Sequence, residues 1–132
     1  MSDSFSLKAG GNILPSRFIV ISGDYEVSQA AAATAPYLGV SHDSTKSAPA
    51  DGLASVNHAE LGDTVSYYKV GDSCLLEAGA AVAAGALLES DANGRGITAA
   101  GAGEMAGAIA LEAAGAAGEL IRVQIQNVRM HA

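Results

Sequence analysis

The chain has 132 residues and a formal charge of -7, from 14 Asp+Glu against 7 Lys+Arg. Phosphate backbones and anionic lipid surfaces both require a basic face, so nucleic acid and membrane are disfavoured as partners. The single cysteine, Cys74, makes neither an internal disulfide nor a cysteine metal cage, and the chain is expected to fold in a reducing cytosol.

The start, MSDSFSLKAGG, has no basic region followed by an apolar run, so no secretory leader is expected. SFSLKA (residues 4–9) alternates, with Phe5 and Leu7 inward. RFIVIS (17–22) is an unbroken β-rich run, expected to be covered on both faces. The turn SGDY should join residues 19–21 and 26–28 as a hairpin. SQAAAATA (28–35) is a candidate short helix that Pro36 stops. Residues 42–60 are rich in Ser, Ala, Asp and Pro and read as a long loop. DTVSYYKV (63–70) places Val65 and Tyr67 on one strand face.

In the second half, Cys74 opens a strand as a small core residue. The apolar run 80–88 is far shorter than the ~20 residues that span a bilayer. Asn93-Gly94, inside DANGRG, is a hairpin signal between residues 87–89 and 96–99, because both residues tolerate positive φ. IALEAAGAAG (109–118) is a second helix candidate, limited by Gly115 and Gly118. ELIRVQIQNV (119–128) alternates cleanly, with Ile121, Val123 and Ile125 inward and Arg122, Gln124 and Gln126 outward.

The two halves carry these features in the same order. FSLKAGGNI (5–13) aligns with CLLEAGAAV (74–82) at an offset of 69, matching Leu7 with Leu76, Ala9 with Ala78 and Gly10 with Gly79. Ile13 pairs with Val82, and LGDTVSY (61–67) resembles AGELIRV (117–123). Between Val40 and Gly62 lie 21 residues, but between Ile109 and Gly118 only eight, so the first copy carries about 13 extra residues. The sequence therefore predicts a mainly β domain: a small β-barrel or β-sandwich built from two tandem-duplicated β units, about 5–70 and 74–128, with the insert at 42–60 and at most one or two short helices. Trp is absent and 16 residues are glycine, so the isolated subunit should be only modestly stable and gain from association.

Signals for chemistry are sparse. GAGEMA (101–106) fits the loose dinucleotide pattern, which needs a preceding strand and a following helix. The short remaining chain leaves no room for a doubly wound sheet. His42, Asp43 and His58 could ligate a metal, but their spacing matches no known site, and solvated loop histidines are the simpler reading. Ser41-His42-Asp43 are sequence neighbours, which does not provide the convergence of a nucleophile triad. The paired positions Asp63 and Glu119, and Lys8 and Glu77, read as turn and strand-edge solvation. No catalytic residue, metal ligand or cofactor site is assigned, and the chain is read as not an enzyme. VGDSCLLEAGAAVAAGALL resembles the hairpins of swivelling biotinyl or lipoyl carrier domains, but the turn 91–95 lacks their lysine.

The order EAGAAVAAGALLESDANGRGITAA…AGAIALEAAGAAGELIRVQI resembles the capsid cement, or decoration, proteins of tailed bacteriophages, well over residues 74–125 and more loosely over 5–67. The resemblance implies a β-rich virion protein with no catalytic residues and no cofactor. It implies a place on the outer surface of the phage head, bound where major capsid subunits meet and stabilising their contacts. It also implies a homo-oligomer, a trimer before a dimer. Under that reading the capsid or self-association contacts are expected from the N-terminal arm (Met1, Ser2, Asp3, Ser4, Phe5 and Ser6) and the long loop (His42, Asp43, Lys46, Pro49, Asp51, Asn57 and His58).

Overall fold

A computed structural model describes residues 6–32, 36–45, 57–99, 101 and 104–129, without the side chains of 128 and 129. Within them lie ten strands and no helix: β1 (Lys8–Ala9), β2 (Phe18–Gly23), β3 (Glu26–Gln29), β4 (Gly39–Ser41), β5 (Tyr67–Lys69), β6 (Ser73–Glu77), β7 (Leu87–Ser90), β8 (Gly96–Thr98), β9 (Met105–Ala110) and β10 (Leu120–Arg129). No helix of the described residues is long and apolar enough to cross a membrane.

The strands form two five-stranded sheets, β1-β3-β2-β4-β5 and β6-β10-β9-β7-β8. Each bends round toward closure. In the first, an antiparallel bridge joins Lys8 to Thr64, so the chain leading into β5 meets β1; in the second, a parallel bridge joins Ala78 at the end of β6 to Gly96 in β8. Numbered from its own first strand, each sheet then runs through the same cyclic order. The product is a small all-β body of two curled sheets, which pair off most strand edges.

Backbone bonds recur at a fixed displacement. Gly10 N donates to Val27 O (2.8 Å) and, 69 residues on, Gly79 N donates to Gly96 O (2.9 Å). Ala30 N to Phe18 O and Ala99 N to Leu87 O, both 2.8 Å, share that displacement. Beyond the long segment it changes. Gly62 N donates to Ala9 O (2.9 Å) and Gly118 N to Ala78 O (2.8 Å), so the donors stand 56 apart while the acceptors remain 69 apart. Left-handed backbone follows suit: Ser16 (φ 56°) with Gly85 (86°), Tyr25 (54°) with Gly94 (76°), and Gly62 (85°) with Gly118 (94°).

Two cores fill the molecule. Leu7, Ala9, Ile13, Ile19, Val27, Ala59 and Val65 pack inside the first sheet. The alternate residues of its strands, Phe18 and Val40, with Ala30 and Tyr37, belong instead to the core of the second half, beside Leu76, Leu88, Val123 and Ile125. Phe18 and Ile19, neighbours on β2, thus serve different cores, because successive strand residues point to opposite faces. Phe18 stacks on Tyr37 with ring centroids 4.5 Å apart. A side chain at Gly107 would run into both rings. Polar ties lace the same joint: Phe18 N to Gly94 O (2.8 Å), Glu77 N to Ser16 O (3.0 Å) and Ser90 N to Tyr37 Oη (2.8 Å). Arg17 spans it, reaching Glu77 Oε2 at 3.1 Å and Asn93 O at 2.9 Å.

Several expectations meet the structure directly. Both hairpins form, as β2–β3 and β7–β8. In the second turn Gly94 adopts positive φ but Asn93 does not; Asn93 N is instead capped by Asp91 Oδ1 at 2.8 Å. β2 is buried on both faces only at its start, and Ile21 is 55% exposed. The helix candidate at 109–118 is β9 followed by turns. Its amides bond across the fold, Leu111 N to Arg122 O (2.9 Å) and Ala114 N to Val82 O (3.0 Å), so tertiary pairing overrides alanine's propensity. Of the candidate at 28–35, Ser28 and Gln29 lie in β3 and residues 33–35 fall outside the described residues.

Candidate functional site

Of the expected contact residues, Met1, Ser2, Asp3, Ser4, Phe5, Lys46, Pro49 and Asp51 lie outside the described residues. Ser6, His42, Asp43, Asn57 and His58 are described, and the fold brings their backbones to one edge. Ser6 is exposed just before Leu7, whose carbonyl accepts from Val65 N at 2.9 Å. Ser6 therefore lies close to where the long segment rejoins the sheet.

The roots of that segment are tied by side chains. His58 N and Ala59 N both donate to Ile13 O, at 2.7 and 3.2 Å. The His58 ring lies between the two roots. Its Nδ1 is 2.8 Å from Ser44 O, and Ser66 N donates to its Nε2 at 3.1 Å. A carbonyl only accepts and an amide N–H only donates, so these partners dictate a neutral ring with its proton on Nδ1. His42 lies over Tyr68, with centroids 4.4 Å apart, and 6.0 Å from the His58 ring. Asn57 Nδ2 donates to Glu60 Oε2 (3.1 Å), and Glu60 N donates to Asp63 Oδ2 (2.9 Å), which squares the turn back toward β5.

The same places in the second half have another chemistry. The amide 56 residues beyond Ser66, Arg122 N, is capped by Glu112 Oε2 at 2.8 Å. Leu111 and Leu120 stand half exposed beside Arg122, at 49% and 51%. The alternation of β10 itself marks this row: Leu120 has the parity of Arg122 and Gln124, so it is an apolar residue on the outward face.

Residues considered for chemistry are placed elsewhere or already engaged. Ser41 is fully buried, its Oγ donating to Leu14 O (2.7 Å) and accepting from Arg17 N (3.1 Å), which separates it from His42. Cys74 is buried in β6 and its thiol is pushed up to about 12, by burial first and then by Asp72 and Asp43, with Arg122 acting oppositely. Gly101 N is bonded by Glu104 Oε1 at 2.8 Å, and a strand rather than a helix follows at Met105, so the dinucleotide pattern lacks the helix N-terminus it requires. At the turn of the carrier-domain comparison, Asp91 takes Asn93 N, Arg95 N and Arg95 Nε, closing the loop on itself. Among the described residues, no group of three or more His, Cys, Asp or Glu is placed to hold a metal ion.

The described chain is thus an all-β body of two curled sheets with a side-chain-tied segment at one edge. The chain matches the phage cement proteins over residues 4–125 and belongs to that family. Among solved structures it is similar to the N base of the head fiber gp8.5 in bacteriophage phi29, with a TM-score of 0.58 and 21% identity over 97% of each chain, a likeness of fold. Comparison with curated proteins gives no match.

Proposed function

We propose that the protein decorates the assembled phage head, binding its outer surface where major capsid subunits meet and holding those subunits together. The observation that carries this reading is membership of the phage cement proteins over nearly the whole chain. The nearness of Ser6 to the described roots of the long segment supports this reading. The contact residues would be Met1, Ser2, Asp3, Ser4, Phe5 and Ser6 with His42, Asp43, Lys46, Pro49, Asp51, Asn57 and His58. Such a protein works by adhesion and catalyses nothing.

Two features of the reading concern assembly. The chain is two tandem copies, about 5–70 and 74–128. The recurrence of bonds and left-handed residues at one displacement supports this, as does the drop from 69 to 56 across the segment. The protein also associates with itself, as a trimer before a dimer, because a closed oligomer matches the local axes of a shell and multiplies weak contacts. A charge of -7 keeps unbound copies soluble.

Heads assembled with and without the protein test the reading. Cryo-electron microscopy should show added density over capsid subunit junctions, and decorated heads should resist heat or osmotic shock better. Heads of equal stability without added density would reject it. Deleting residues 1–6 should weaken occupancy of heads while leaving the fold intact, since the described core starts at Leu7. Full occupancy after that deletion would remove the arm from the site.

A further inference from the structure

We propose that His58 is an acid-sensitive clasp between the far root of the 42–60 segment and the chain returning toward β5, closed on the Ser66 amide while its imidazole is neutral and opened there by protonation. The proposal deepens the reading of this edge as a contact site, but it concerns the free chain and is tested without heads.

The argument rests on which groups face the ring. Nδ1 donates to Ser44 O at the segment's start, and Nε2 accepts from Ser66 N where the chain returns toward β5. A protonated ring carries hydrogens on both nitrogens. Nε2–H would then point at the Ser66 N–H, replacing a bond by a donor–donor contact, while the Ser44 bond alone survives. The backbone anchors at Ile13 O do not involve the ring, so the change is confined to the clasp.

The surrounding charges act in both directions. His42 rests on Tyr68, its ring centroid 6.0 Å from that of His58. Glu60 and Asp63 favour a cation nearby, but their carboxylates hold Asn57 Nδ2 and Glu60 N. Lys8 on β1 is bonded to Thr64 Oγ1 at 3.2 Å. Asp43 is exposed at the start of the segment and Lys69 at the end of β5.

The molecule contains its own control. The equivalent amide of the second half, Arg122 N, is capped by the Glu112 carboxylate. A carboxyl group keeps an acceptor oxygen in either protonation state, so this cap has no reason to open where an imidazole gains a proton. Both bonds lie at exposed positions, which makes the comparison even.

Amide exchange by NMR between about pH 8 and about pH 5, corrected for the intrinsic pH dependence of exchange, reads the difference. Ser66 protection should fall by about five- to tenfold, the equivalent of losing one hydrogen bond, while Arg122 protection stays constant. Long-range 15N spectra should show the proton of the neutral ring on Nδ1. His58→Gln puts an amide oxygen near Nε2, so Ser66 should remain protected at both ends of the range. Ser66 and Arg122 changing in step would overturn the clasp. So would a neutral ring protonated on Nε2, or an undiminished acid response in His58→Gln.

Discussion

Ser16 occupies a left-handed backbone conformation (φ 56°) and is 2% exposed, and its Oγ has no hydrogen-bond partner among the described residues. Its counterpart, Gly85, takes the same conformation without a Cβ to strain it. Ser16→Gly should therefore stabilise the protein by about 0.5–1 kcal/mol, the relief of strain exceeding the added chain entropy. A higher urea midpoint with an unchanged slope is the expected result. Two buried acids predict an alkaline limit. Tyr37 is pushed up to about 12, by burial first, with the Ser90 amide acting oppositely and Glu89 and Glu104 adding to the rise. Cys74 is likewise pushed up to about 12 by burial. Both hold their protons more tightly when folded, so their stabilising effect is complete below their ordinary values of 9.0 and 10.0 and disappears as pH climbs toward 12. Stability in urea titrations should thus decline from about pH 9 upward. Tyr37→Phe should be less stable throughout, because Ser90 N loses its acceptor, yet should decline less steeply.

At the scale of elements, β9 shows what small residues achieve. Ala106, Gly107 and Ala108 are buried, and Gly107 lies against the Phe18–Tyr37 pair. Gly107→Ala should cost about 1–3 kcal/mol as an overpacking change, read as a lower Tm. Strands whose outward side chains are polar were legible, as in β10 with Arg122 and Gln124, because alternation records solvent directly. The hairpins were legible from their turn residues. Ile21 was not: an apolar residue at a strand end carries no mark of whether a neighbour covers it. The alanine run at 109–118 misled because alanine suits both a helix and a close strand contact, and only distant partners such as Val82 and Arg122 decide between them. Residues 42–60 announced a loop by composition. The role of His58 within it depends on Ser44 and Ser66, which converge only in the folded chain.

At the scale of the whole molecule, the halves are one cooperative unit because they share a core. Phe18, Val40 and Tyr37 come from the first half but pack with Leu76, Leu88 and Val123 of the second. The second half's core is incomplete without the first, and the first half alone would expose Phe18, Tyr37 and Val40. The connector between them, around Gly71 (φ 99°), holds a left-handed glycine without a counterpart among the described residues. It is laced to the last strand by Gly71 N to Ile125 O and Ile125 N to Asp72 O, both 2.9 Å. The peptide link at this point is redundant with the non-covalent ties that join the halves elsewhere, Phe18 N to Gly94 O, Ser90 N to Tyr37 Oη and Arg17 to Glu77. Cut between Val70 and Gly71, the chain should behave as a complementing pair: each fragment disordered by circular dichroism when alone, and a native-like spectrum on mixing. What reads as a single polypeptide is then, in mechanical terms, a dimer whose tether serves mainly to keep its two members at high local concentration.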